Sequence, residues 1–360
     1  MEFYITLFII VAVAASFDFS NISTNKKNII FILILTMCII ISSIRWNNPD
    51  WDVYYPFFMK NNDLDDFLYG DIPIDKGFGL INFCIKFLFD DFTALLSVLA
   101  LVIISIKGWF IKKYSYFPLV SLLLWFGVYI GDMFFNRQTL AISITMISFY
   151  FIVHKRVIPF VICVIIAASV QVSVIAFLLA YPIYHWKISR LYMVLGIGLS
   201  IVVGMYLDNS YLIEIAGLVN LIDVDTQRLL TKIDTYIQES RDSNYILVYA
   251  RRLIFIPLEL YVLSKMEKIN EYFRGSVNLI VFGYMIYFLL INVSNTFATR
   301  ISSPFYIYEM MVLPNIIYYF KNINMRVIGF IVLVIYAYVK YIYALNLYPE
   351  CYIPYVNILW

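Results

Sequence analysis

Charge is what this chain lacks. Only 14% of its 360 residues are Asp, Glu, Lys or Arg, and 62% are hydrophobic, whereas a soluble domain carries about 25% charged residues. That balance excludes a water-soluble globule and points to a protein built in lipid. Histidine is almost missing. His154 and His185 lie far apart, which argues against a histidine zinc site and leaves no Ser-His-Asp pattern. Four cysteines, Cys38, Cys84, Cys163 and Cys351, form no metal-ligand spacing. No P-loop or HExxH signature occurs. Asp50-Trp51-Asp52 and Asp223-Val224-Asp225 are DxD-like, but neither has a nucleotide-binding αβ context. No metal and no cofactor are expected. The net charge of +2 names no partner, and no nucleic acid is expected.

Long apolar runs are what the chain has instead. Windows at 3–17, 28–44, 93–112, 117–135, 139–154, 191–207, 245–264, 277–293, 303–320 and 327–345 are apolar enough to read as spans, each crossing ~30 Å of hydrocarbon. The first lacks a basic flank and an A-x-A site, so it reads as a retained helix. Residues 158–184 are too long for one helix and too short for two, with Ser169, Gln171 and Ser173 breaking the run. They read as a broken or re-entrant hairpin, tolerated where protein or a wet cavity covers the backbone. The predicted fold is all-α: a polytopic integral membrane protein, one domain over 1–360, with about 11 transmembrane helices. Two outer loops, 45–92 and 208–244, are expected to carry amphipathic helices. One is Phe78 to Phe89 and the other lies within LVNLIDVDTQRLLTKIDTYIQES.

Basic residues set the topology. With the N-terminus outside, the inner loops collect mostly lysine, including Lys26, Lys27, Lys107, Lys112, Lys113, Lys155 and Lys265. The outer side holds Arg45, Arg137, Arg228, Arg241, Arg251, Arg252 and Arg300. Lysine serves orientation, so the outer arginines need another reason. A guanidinium fork binds phosphate or carboxylate with two parallel hydrogen bonds.

Three stretches stand out. FFNRQTLA places Arg137 between Asn136 and Gln138 in an outer hairpin. Asp132 is near enough in sequence to neutralise it, and a snorkelling arginine is the bland alternative. Tyr249-Ala250-Arg251-Arg252 opens a span, with Glu259 seven residues on, two helical turns and ~10 Å deeper. TFATRISSP forms a polar outer hairpin around Arg300, and Glu309 follows inside the next span. Acids within a membrane are costly and carry a functional default.

The order of these motifs resembles the EpsG family of bacterial exopolysaccharide proteins, which includes Wzy-type O-antigen polymerases. Arg45 followed by PDWDVYYPFF resembles the family's Arg then Gly-x-Asp-aromatic-x-x-Tyr, placing Asp50 and Tyr54 on it. DKGFGLIN (75–82) resembles Glu-Pro-Gly-Phe-x-x-Leu-Asn, with Asp75 in the acid's place and the proline missing. NRQTLAISI (136–144) resembles an Arg-Gln-x-x-Ala helix start. TRISSPFYIYEMMVLP (299–314) resembles an Arg-rich lead-in to a late span, and YIPYVNIL a Pro-Tyr ending. Gln171 stands where many relatives have the His of His-x-Ser, which removes a histidine base at that position.

The resemblance implies a polymerase in the bacterial inner (cytoplasmic) membrane, its site facing the periplasm. Such an enzyme moves a growing glycan from undecaprenyl pyrophosphate to the non-reducing end of a new lipid-linked repeat unit, without a metal. Implied partners are the undecaprenyl-pyrophosphate-linked oligosaccharide, the bilayer, a chain-length regulator and a flippase. The chemistry suits the residues. Charge builds on a departing diphosphate, and fixed donors aimed at it lower the barrier. Arg137, Arg251 and Arg300 are the expected clamp, with Arg252 and Gln138 beside them. The acceptor hydroxyl needs a base. Asp50, Asp52, Asp75, Asp132 and Glu259 are candidates, Asp75 and Asp50 foremost. Arg45, Tyr54, Asp132, Gln138, Gln171, Arg252 and Glu259 are expected to bind substrate. Rival readings are a flippase or transporter of the same lipid-linked sugar, a non-catalytic scaffold of an export complex, and a membrane acyltransferase that lacks a convincing histidine.

Overall fold

The computed structural model describes residues 1–47, 49–70, 72, 74–207 and 245–358. The expected helix in 208–244, with Arg228 and Arg241, lies outside the described residues. Among these there are helices and turns but no named strand, and Arg45 and Asn357 form an isolated antiparallel bridge. The chain falls into two compact units. One comprises Met1–Phe151, Ile158–Val172 and Met310–Trp360; the other comprises Ile152–Val157 and Ser173–Glu309.

The first unit opens with α1 (Glu2–Ser16) and α2 (Thr24–Ile44), continues through α3 (Trp51–Lys60), α4 (Leu64–Tyr69) and α5 (Lys76–Phe89), and reaches α6 (Phe92–Tyr114), α7 (Pro118–Val128) and α8 (Asn136–Val153). Helix α9 (Val157–Val170) follows. Capping explains several boundaries. The Asp91 carboxylate accepts from Thr93 N at 2.8 Å to start α6. The start of α7 is capped from a distance: Asp18 accepts from Leu119 N and Val120 N at 2.7 and 3.0 Å. Pro118 has no N–H to satisfy at that first turn.

In the second unit, α10 (Ala180–His185) and α11 (Arg190–Gly204) precede α12 (Tyr245–Leu253), α13 (Ile256–Met266), α14 (Phe273–Leu290) and α15 (Asn295–Tyr306). Then come α16 (Glu309–Tyr319), α17 (Ile323–Leu347) and the short α18 (Pro349–Tyr352), which lie in the first unit from Met310 onward. Helices α10, α11, α13 and α15 pack on α14.

Among the described residues, five helical stretches are long and apolar enough to cross a bilayer: Glu2–Phe19, Thr24–Ile44, Phe92–Tyr114, Phe273–Leu290 and Ile323–Leu347. Four shorter apolar segments, Pro118–Val128, Val157–Val170, Val172–His185 and Arg190–Gly204, accompany them. The exposed side chains of α17, Ile328, Ile331, Val332, Ile335 and Val339, recur at helical spacing. They make one exposed apolar stripe along the helix, the pattern of a lipid-facing side. On its packed side Ala337 meets α7 so closely that a Cβ at Gly127 would lie 2.8 Å from the Ala337 Cβ, the small-residue contact typical of membrane helices.

Several spans read as single helices are divided. The 117–135 window ends its α-helix at Val128 and continues as a 3-10 turn, Ile130–Met133. The 245–264 window breaks at Ile254 and Phe255, ahead of Pro257. The supposed hairpin around Arg300 is helix α15, with Pro304 inside it. The segment 158–184 is broken where the polar residues predict. Helix α9 ends at Val170, and Val172–Leu179 is 3-10. Within the second unit the His185 ring Nε2 lies 3.0 Å from Ile152 O.

Candidate functional site

The first unit builds its site around the start of α8. Asn136 begins that helix, so Arg137 and Gln138 stand in its first turn, where the helix dipole favours an anion. Arg137 is half-buried. Its Nη1 lies 3.5 Å from Asp75 Oδ2, and its guanidinium carbon is 5.9 Å from the Tyr54 ring centre, at the edge of cation–π range. Asp75 is the N-cap residue of α5, yet its side chain makes no capping bond. Its backbone carbonyl starts the helix through Phe78 N and Gly79 N, and its carboxylate reaches Arg137.

Two further motifs close on the same place. A Cβ at Gly77 would fall 2.3 Å from Ser169 Oγ and 2.7 Å from the Ser169 carbonyl, so glycine alone lets α5 begin against the end of α9. Gln171 follows that end and is buried. Tyr54, buried in α3, packs on Phe78 with ring centres 5.3 Å apart. Asp50 caps α3 half-buried, and Asp52 is exposed in its first turn.

Arg45 is placed differently from a substrate-facing arginine. It is 1% exposed. Nη1 donates to Ser42 O at 3.2 Å, Ser42 Oγ at 2.8 Å and Met133 O, while Nη2 donates to Phe134 O at 3.1 Å and to Asn136 Oδ1. Burial draws its titration down to about 10, so it stays charged at neutral pH. The C-terminal motif flanks it: Trp46 N donates to Val356 O and Ile358 N to Ile44 O, both at 2.9 Å.

Asp132 does not neutralise Arg137. It is ion-paired with Lys107 and accepts from Trp125 Nε1 at 2.8 Å. Lys107 is not a loop residue either. It lies within α6 and is fully buried. Asp132 belongs to the 3-10 turn Ile130–Met133 and pairs with α6, whereas Arg137 belongs to the helix that starts at Asn136 and pairs with the start of α5. Proximity in sequence could not reveal this; a lysine inside an apolar run was the available signal.

The second unit holds Arg251, Arg252 and Arg300. Arg252 lies 3.5 Å from the Tyr287 ring centre and 5.0 Å from that of Tyr306, a tyrosine cage around a guanidinium. Arg251 and Arg300 are half-buried on α12 and α15. Glu259 is fully buried, and among the described residues neither carboxylate oxygen has a hydrogen-bond partner. Since the helix breaks between them, the two-turn rise from Arg252 to Glu259 does not apply. Glu309 is buried and accepts from Tyr284 OH at 3.0 Å, and it acts electrostatically on Glu259. The three tyrosines, 284, 287 and 306, went unread in the sequence because tyrosine is common throughout it, at 31 residues.

Comparison with curated proteins and with solved structures returns no match. The model of the EpsG family matches residues 27–357, nearly the whole chain. That stretch contains every motif gathered around Arg137, and the chain belongs to the EpsG family, whose members are Wzy-type polymerase-like proteins.

Proposed function

We propose that this protein polymerises lipid-linked repeat units at the periplasmic face of the bacterial inner membrane. Family membership supports a polymerase role in polysaccharide biosynthesis. The observation that carries the finer reading is the Arg137–Asp75 pair at the N-terminus of α8. It sets a guanidinium, a carboxylate and a positive helix end together.

In this reading Arg137 and Gln138 hold the diphosphate of an undecaprenyl-linked glycan. The acceptor hydroxyl of a new repeat unit attacks the anomeric carbon. A C–O bond forms to that hydroxyl, the bond from the anomeric carbon to the diphosphate oxygen breaks, and the hydroxyl proton passes to Asp75. The lipid diphosphate leaves with its charge held by Arg137. Asp50 is the alternative base, and Tyr54 and Gln171 contact the sugars. Arg251, Arg252 and Arg300, with Glu259, enter as separate candidates in the second unit for contact with the anionic substrate.

The test is purified protein in liposomes with synthetic lipid-linked repeats and no ion gradient. Glycan elongation supports the polymerase. Movement of the substrate across the bilayer without elongation would make it a flippase. Neither activity, together with normal function of Arg137→Lys in cells, would leave a scaffold, since charge alone would then suffice.

A further inference from the structure

A buried arginine whose two terminal nitrogens are spent on acceptors of its own chain has little left for a substrate. Arg45 directs both terminal nitrogens into one turn. The acceptors are the carbonyls of Met133 and Phe134, the Asn136 side chain, and the Ser42 carbonyl and hydroxyl. Ser42 Oγ donates in turn to Met133 O at 2.8 Å. Below the same turn, Lys107 and Trp125 hold Asp132. Carbonyls left by a 3-10 turn at the edge of a bilayer need donors. A lysine in place of Arg45 has one compact ammonium and cannot reach this fan of acceptors.

We infer that Arg45 is a positioning residue that braces the Met133–Asn136 turn and thereby fixes Arg137 at the head of α8. The inference rests on the proposed role of Arg137 for its functional half. Its structural half stands alone: the brace sets the direction of the Arg137 backbone whatever that residue binds. The π-face of Phe134, 5.5 Å from the guanidinium carbon, completes the enclosure.

Hydrogen exchange of the full chain in lipid nanodiscs tests it, alongside elongation kinetics. Arg45→Lys is expected to speed amide exchange in the 130–138 segment about tenfold or more. Its kcat should fall on the order of 100-fold, as misplacement of a reacting group does, with KM unchanged. Ser42→Ala, which leaves Arg45 in place, is expected to loosen the same segment to a smaller degree. Unchanged exchange at 130–138 in Arg45→Lys overturns the brace; a raised KM with kcat retained overturns the positioning role and makes Arg45 a substrate contact. If Arg45→Lys does not fold, exchange in Ser42→Ala decides alone: faster supports the brace, unchanged overturns it. Should Arg137→Ala polymerise normally while Arg45→Lys loosens the turn, the brace survives and the assigned role of Arg137 falls.

Discussion

The Arg137 guanidinium stands 3.5 Å from the Asp75 carboxylate, joining the start of α8 to the start of α5. If this pair handles the departing diphosphate, Arg137→Ala should lower the elongation rate by about 10²–10³-fold, the usual loss of one fixed donor to developing charge. Arg137→Lys should recover little, because one ammonium does not replace a fork. Loss of the long-chain ladder in surface polysaccharide, at unchanged protein level, is the cellular counterpart. An intact ladder removes Arg137 from the chemistry.

Gly77 makes a close approach that no other residue can. Gly77→Ala is expected to destabilise by about 1–3 kcal/mol, as overpacking does, read as a lower melting temperature in detergent. Ser169→Ala should not rescue it, because the Ser169 backbone carbonyl also lies within 2.7 Å of the added Cβ. Rescue would show that the side chain alone sets the contact.

Lys107 and Asp132 form a buried ion pair. Lys107→Met should cost ~3–5 kcal/mol by leaving a buried charge unpaired. The double variant Lys107→Met, Asp132→Asn should recover most of that, since the amide oxygen still accepts from Trp125. Thermal unfolding of the three proteins decides, and equal melting temperatures for the single and double variants would contradict the pairing.

Among the described residues, Arg252 is held by the rings of Tyr287 and Tyr306. Tyr287→Leu should therefore destabilise by ~0.5–2 kcal/mol, the range of a cation–π contact, and Arg252→Lys should resemble it. Thermal unfolding is again the measure. Full stability in both variants would mean that the tyrosine cage does not hold the guanidinium.

Glu267 offers a pH effect with a definite sign. The hydrogen bond from Arg274 holds its carboxyl below the ordinary glutamate value. A depressed value in the folded state means the contribution is full above the ordinary glutamate value and is lost as pH falls from there through the lower folded-state value. Both side chains are part-exposed, so its size is under about 1 kcal/mol. Wild type and Glu267→Gln should differ slightly in melting temperature at neutral pH and converge in acid. A gap that persists in acid would point to packing instead.

Much of this was written in the order of residues. Scarce charge and long apolar runs determine a helical membrane protein, because lipid leaves the backbone few other ways to satisfy its polar groups. Ser169, Gln171 and Ser173 mark the break after α9, and the chain order of short motifs marks the family. Pairing was not legible. Asp132 lies five residues from Arg137, yet it serves Lys107, while Asp75 comes from a distant loop. A 3-10 turn separates Asp132 from the helix that carries Arg137, and only packing fixes the partner of each. Arg45 reads like its fellow outer arginines until the fold buries it among carbonyls. Residue type told what each group can bind; the tertiary structure alone decided which groups meet, because contact depends on how the chain turns in space and not on how far apart two residues are along it.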